Sequence, residues 1–250
     1  MEFERIADIK RLNFIIDTLK EKLPQGAVVL DVGCGNGVIS RSLGKEGFNV
    51  YGVDISEKTI QKARQLNIYP NVKFDVKSAE QLVAEGVKYN AVICSEVLEH
   101  LNEPAKLLEV LYQSITDDGV LIVTVPNGQG PREVFVTKPI INLQKKNNLV
   151  WKTVQKTKSA LGYKGTTAQS DASDLTHIQF FTKNSLEQLA EKTKFKIMKF
   201  GKTNFVEDVF PFSFLAKRLK VLQKMDCAIA EWLPYGCTGG FVTVWQKNKS

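Results

Sequence analysis

The run Ala27-Val28-Val29-Leu30-Asp31-Val32-Gly33-Cys34-Gly35-Asn36-Gly37, followed by Tyr51-Gly52-Val53-Asp54, constrains this chain more than any other stretch in it. A short apolar burst bounded by turn residues reads as a strand buried on both faces, the kind that fills a parallel sheet. Gly33, Gly35 and Gly37 then open backbone angles closed to other residues and let a ligand lie against the main chain. Gly37 to Leu43 has helical spacing, so the loop opens a helix whose first N–H groups face that ligand. Asp54, ending the next strand, suits the two hydroxyls of a ribose, because a carboxylate accepts both hydrogen bonds. The dinucleotide fingerprint needs Gly-x-Gly-x-x-Gly, and Val38 stands where its third glycine belongs, which argues against a nicotinamide oxidoreductase.

Apolar bursts alternating with helical patterns extend this start into a doubly wound, mostly parallel α/β sheet. Strands are expected near 27–32, 48–53, 72–76, 89–94 and 119–125, with helices near 37–46, 56–67, 78–85 and 103–116. Ser56 is a helix cap, and Pro104 stands where a first helical turn accepts it. Beyond Pro126 the rhythm breaks over 128–175, an insertion at the carboxyl end of a strand that reads as an acceptor lid. The pattern resumes with a capped amphipathic helix from Asn184 to Lys192 and strands at Phe195–Phe200 and Gly240–Trp245. A second insert, 203–239, sets Phe205, Phe210, Phe212, Phe214 and Trp232 beside Lys217, Arg218, Lys220 and Lys224. The reading is one domain over 1–250, with an N-terminal helix at 1–23 and a cofactor-binding core at 25–127.

With 250 residues, 43% of them hydrophobic, such a domain buries its core without disulfides. Cys34, Cys94, Cys227 and Cys237 form no Cys-x-x-Cys pair, which fits a reducing cytoplasm. The charged, amphipathic first 23 residues are unlike a signal peptide, and no apolar run reaches the roughly 18 residues that span a bilayer. Between Lys138 and Lys164 there are seven lysines and no acid, matching the net charge of +7. Such a run is either a solvated face or a contact for phosphate in a nucleic acid, a lipid headgroup or a sugar-phosphate carrier. The second insert likewise either packs on its own domain or lies on a membrane surface, making the inner face of the membrane a second expected location.

At the glycine loop the chain resembles the class I S-adenosylmethionine (SAM) dependent methyltransferases, whose first motif has the pattern of Val29 to Gly37. The resemblance continues through Lys73–Leu82, similar to the third strand and adenine-contact segment, although an Asp is commoner where Ser78 stands. Tyr89–His100 resembles the fourth strand and the turn lining the methyl-transfer site, and Asp118–Asn127 the fifth strand. It covers residues 25–127 well. The resemblance implies a seven-stranded sheet with a final antiparallel strand. It also implies SAM contacts from Asp31, Gly33, Cys34, Gly35 and Gly37 in the loop, Asp54 and Ile55 at the ribose, Ser78 and Ala79 at the adenine, and Ser95, Glu96 and Val97 after the fourth strand.

Two histidines occur in the chain. His100 closes Glu96-Val97-Leu98-Glu99-His100, and if that segment is helical, positions i, i+3 and i+4 put Glu96, Glu99 and His100 on one face. Two carboxylates and an imidazole suit a divalent cation, and His177 from the lid completes the set. The donor mixture suits Mn, Fe or Zn at least as well as Mg. The spacing resembles Glu-x-x-Glu-His in two methyltransferase groups, those acting on catechol rings in ubiquinone biosynthesis and those methylating the 2'-hydroxyl of small RNA 3' ends. Without metal, His100 or His177 is a candidate general base.

The expected activity is methyl transfer from SAM to a hydroxyl oxygen of a small-molecule, glycan or lipid-linked acceptor, in the manner of the ubiquinone-biosynthesis O-methyltransferase-like group. An RNA 2'-O-methyltransferase is the weaker reading, because the Lys-rich insert offers chiefly Trp151 and Tyr163 as stacking platforms. A non-catalytic SAM-binding module is the rival of another class.

Overall fold

A computed structural model of the chain describes residues 3–139, 177–207, 209, 212–216 and 219–248. Most of the expected lid at 128–175, and the lysine run beyond Lys138, lie outside the described residues. Ten elements lead from the N-terminus to the end of the fifth strand. In order they are α1 (Ile6–Lys22), β1 (Val28–Val32), α2 (Val38–Lys45), β2 (Asn49–Asp54), α3 (Glu57–Leu66), β3 (Val72–Val76), α4 (Ala79–Ala84), β4 (Tyr89–Ser95), α5 (Pro104–Ser114) and β5 (Ile115–Pro126). After them come α6 (Lys183–Lys192), β6 (Phe195–Lys202), α7 (Phe212–Ala216), α8 (Lys220–Trp232) and β7 (Gly240–Lys247).

The seven strands form one sheet in the order β3-β2-β1-β4-β5-β7-β6. The first five pair in parallel, while β7 runs antiparallel to both β5 and β6. This is the expected doubly wound sheet with its antiparallel last strand. The chain builds outward from β1 through β2 to β3, then returns to place β4 on the other side of β1. Strand order therefore reverses at the β1/β4 boundary, where open α/β sheets bind ligands beyond the carboxyl ends of their strands.

Alternating side chains send each central strand's residues to two cores. Ala91 and Ile93 of β4 join Ile15 and Leu19 of α1 and Leu43 of α2, whereas Val92 and Cys94 join Leu108 and Leu111 of α5 and Leu186 of α6. Both faces are covered by helices, which is why the central strands read as continuous apolar runs.

Local signals place the helix ends. The Ser56 hydroxyl caps α3 by accepting from the Thr59 amide, and Pro104 opens α5. The late helix starts at Lys183, capped by Thr182 rather than by Asn184. Helix α5 stops at Ser114, two residues short of the expectation, and β5 takes over at Ile115, which pairs with Tyr89. Among the described residues no helix is long and apolar enough to cross a membrane.

Candidate active site

The glycine loop leaves β1 through a narrow gap. Gly33 has φ +67°, and a Cβ there would come 2.5 Å from Val97 Cγ2, so only glycine meets both the backbone and the space. The amides of Gly33 and Cys34 both donate to the Val53 carbonyl, at 2.8 and 3.0 Å, which ties the loop to the end of β2. There Asp54 accepts from the Gly35 amide at 3.1 Å and from the Ser56 amide at 2.9 Å. Ile55, next to it, is 79% exposed, an apolar side chain standing free at the crevice edge.

Asp31 is placed differently from an open ligand contact. It is buried, and its carboxylate accepts from the Ser40 hydroxyl at 2.6 Å, which joins β1 to α2. Burial pushes its carboxyl up to about 7, against the opposing effect of the Ser40 hydrogen bond. Cys34 is also buried, and burial followed by the nearby Asp31 charge raises its thiol. Ser78 caps the start of α4: its hydroxyl accepts from the Gln81 amide while its own amide donates to the Gln81 side chain. Ala79 is the first residue of α4.

The segment after β4 departs from the expected helix. Glu96 has φ +58°, an uncommon conformation for a side chain-bearing residue, and the helical part is a single 3₁₀ turn, Leu98–His100. Glu96 thus precedes the turn and does not share its face with Glu99 and His100. The Ser95 and Thr124 hydroxyls lie 2.8 Å apart, and Thr124 donates to Glu96 Oε1 at 3.0 Å. The same oxygen is 3.2 Å from Arg11 Nη1. The expected four-residue cation set is corrected to three: Glu99, His100 and His177 offer ligand atoms all within 4.8 Å of one another.

His177 reaches this point from a distant part of the chain by backbone hydrogen bonding. The amides of Ile178 and Gln179 donate to the Glu99 carbonyl at 2.8 and 3.0 Å, and the Gln179 side chain donates to the Leu101 carbonyl at 3.2 Å. The two imidazoles sit with ring centroids 5.3 Å apart. Glu99 is 1% exposed, and its Oε2 has no hydrogen-bond partner. Burial, reinforced by the charge of Glu96, holds its carboxyl well above the usual range. Glu99 Oε1 lies 3.7 Å from His100 Nε2, and a buried carboxylate with its other oxygen unsatisfied beside two imidazoles is a donor set suited to a cation or to a proton in transit.

Two charged side chains that pattern reading did not single out stand at this site. Arg11 of α1 is buried against Glu96 and Asp8. Its signal was a charged residue among the helical apolar positions Leu12, Ile15 and Leu19, which reads as surface until α1 is docked. Glu133 is 1% exposed, with Oε1 3.3 Å from His177 Nδ1. Burial works to raise its carboxyl, but the neighbouring His177, with Thr137 and Arg132, outweighs it and leaves the group below its ordinary value.

Asn127, immediately after β5, gathers distant segments of the chain. It is fully buried, and its side-chain amide donates to the carbonyls of Tyr235 and Thr238 at 2.9 and 2.7 Å. Its neighbour Gly128 donates its amide to the Phe181 carbonyl at 2.7 Å. Parts of the second insert are thereby fixed beside the end of β5.

A family model described as a methyltransferase domain matches residues 4–199. Among curated proteins, the ubiquinone biosynthesis O-methyltransferase of Xylella fastidiosa is 32% identical over 116 residues, covering 45% of this chain and 47% of that protein. The enzyme of the same name from Pseudomonas aeruginosa is 30% identical over 130 residues, 50% of this chain and 55% of its own length. The chain thus matches about half the length of these curated relatives. Among solved structures, the magnesium protoporphyrin IX methyltransferase of Synechocystis with bound S-adenosylhomocysteine has a TM-score of 0.57 at 19% identity, over 97% of this chain and 84% of its own. The 1,6-didemethyltoxoflavin-N1-methyltransferase of Burkholderia thailandensis has a TM-score of 0.58 at 14% identity, over 98% and 80%. These structural likenesses show the fold, which is that of the class I enzymes. Given a family match across more than three-quarters of its length, the chain belongs to the methyltransferase domain family.

Proposed function

We propose that the protein transfers a methyl group from SAM to a hydroxyl oxygen of a small-molecule, sugar or lipid-linked acceptor, with Glu99, His100 and His177 activating that hydroxyl. The observation that carries this reading is the meeting of both described histidines with a buried carboxylate, one of whose oxygens has no hydrogen-bond partner, just beyond β4 and next to the glycine loop. The ubiquinone-biosynthesis relatives, which carry O-methyltransferase in their name, support oxygen as the acceptor atom.

The crevice residues fit SAM. A carboxylate has about four acceptor sites, and backbone amides take two of those on Asp54, which leaves capacity for ribose hydroxyls. Ile55 offers an exposed apolar surface beside it, and Gly33, Gly35 and Gly37 keep side chains out of the loop.

The Glu99 cluster fits a divalent cation, since a carboxylate oxygen buried without a partner is costly and a cation would satisfy it. When bound, such an ion lowers the pKa of an adjacent hydroxyl. The chain's own part is to hold the acceptor oxygen in line with the sulfonium methyl and, when no ion occupies the imidazole nitrogens, to receive its proton on one of them. Positioning supplies much of the rate, and no covalent enzyme intermediate is needed.

The test is release of S-adenosylhomocysteine across a panel of hydroxylated acceptors, with and without EDTA and with metals added back. Turnover that falls on chelation and returns with Mn²⁺, Fe²⁺ or Zn²⁺ is expected. Unchanged turnover after full chelation removes the ion and leaves the histidines as bases. His100→Ala is expected to lower turnover by about 10²-fold with SAM affinity nearly intact. SAM binding without product across the whole panel makes the chain a binding module instead.

A further inference from the structure

Glu133 is 1% exposed and has one carboxylate oxygen 3.3 Å from His177 Nδ1. A buried carboxylate is retained where it has a charged or hydrogen-bonding partner, and Glu133 meets the His177 ring. An imidazole has two nitrogens with opposite duties in its neutral form, one a donor and the other an acceptor. The group bonded to one nitrogen decides which duty falls to the other, and a carboxylate behind a working histidine commonly does so.

We propose that Glu133 is a positioning residue that accepts a hydrogen bond from His177 Nδ1–H, so that Nε2 carries the lone pair presented to Glu99 and His100. The inference deepens the reading of Glu99, His100 and His177 as the acceptor-activating centre and rests on it. Three observations combine. The ion pair ties a turn of the chain at Glu133–Thr137 to the segment that begins at His177. Ile178 and Gln179 are independently pinned to the Glu99 carbonyl, so the ring's backbone is fixed and its rotation is the remaining freedom. A His177 nitrogen also lies within 4.8 Å of ligand atoms of Glu99 and His100, while Nδ1 is 3.3 Å from Glu133, so the ring stands between two buried carboxylates. A carboxylate on the far nitrogen resolves that rotation and fixes the tautomer.

The chain has two histidines, so its imidazole nitrogen spectrum is simple to assign. Long-range proton–nitrogen correlation spectra of the full chain labelled with ¹⁵N-histidine, recorded where both rings are neutral, read the tautomer directly. His100→Ala identifies the His177 signals. The expected result is His177 as the Nδ1–H tautomer in the wild type and in Glu133→Gln, whose amide oxygen still accepts. In Glu133→Met, which has similar volume and no such acceptor, a shift toward Nε2–H is expected. Mn²⁺ affinity, measured by calorimetry, is expected to fall 10- to 100-fold in Glu133→Met and less in Glu133→Gln, with SAM affinity unchanged in both.

His177 found as the Nε2–H tautomer in the wild type overturns the proposal, and this measurement needs no variant to fold. An unchanged tautomer in Glu133→Met overturns it as well. If His177→Ala and Glu99→Gln leave Mn²⁺ affinity at its wild-type value, the cation reading fails on its own, while the spectra still decide the role of Glu133.

Discussion

The Ile178 amide donates to the Glu99 carbonyl at 2.8 Å, joining two residues 79 positions apart. This bond places the two histidines side by side, and it tests cleanly because the Ile178 side chain is half exposed. Ile178→Pro removes the donor, keeps every side chain of the centre and restricts the His177 backbone to extended angles. The expected outcome is Mn²⁺ affinity at least fivefold weaker by calorimetry, with SAM affinity within twofold of the wild type. Unchanged Mn²⁺ affinity means that the clamp is not what delivers His177.

Asp54→Ala is expected to weaken SAM binding at least tenfold in equilibrium dialysis. The substitution also strips acceptors from the Gly35 and Ser56 amides, so Asp54→Asn, which keeps one acceptor oxygen, should fall between the two. Near-normal affinity in both variants sinks the ribose role.

Gly33→Ala places a Cβ 2.5 Å from Val97 Cγ2 on a residue with φ +67°. Overpacking and backbone strain together predict a loss of about 2–4 kcal/mol in denaturant unfolding. Adding Val97→Ala relieves the contact but not the backbone, so the double variant should recover only part of the loss. Full recovery would show that the backbone angle carries no cost.

Asp31 predicts a pH dependence of stability. Its carboxyl is pushed up to about 7 from an ordinary 3.8, so between those values the folded state holds a proton that the unfolded state has released. Its contribution is fully present below the unfolded value and is lost as pH rises through the window, with a slope of up to about 1.4 kcal/mol per pH unit. Asp31→Asn should flatten that part of the curve when urea unfolding is followed from pH 4 to 7. A wild-type curve parallel to that of the variant contradicts the buried, proton-holding Asp31.

The donor half of the molecule was readable because its signals are local. β1 to β5 are apolar bursts whose ends are marked by turn residues, and the glycine loop advertises its backbone in its composition. Where a local rule was extended by assumption, it misled. Glu96 was put on the face of Glu99 and His100 because i, i+3, i+4 spacing presumes a helix, whereas a positive φ at Glu96 turns its side chain to Arg11 and Thr124. The start of β5 was missed for a related reason. Ile115 reads as the tail of an amphipathic helix until Tyr89 is available to pair with it. Glu133 and Arg11 were not legible as buried groups, since a charge beside apolar residues becomes informative only when its burial is known.

Asn127 closes β5 by holding carbonyls from residues more than 100 positions later, while the residue after it holds the segment that follows His177. The glycine-loop half is therefore written in one continuous passage of chain, and the other half is stitched from separate passages that meet at Asn127 and Gly128. Such a division lets the two halves change at different rates. Replacing the described part of the second insert would leave the strands beside the glycine loop untouched, provided that the stitch at Asn127 is kept.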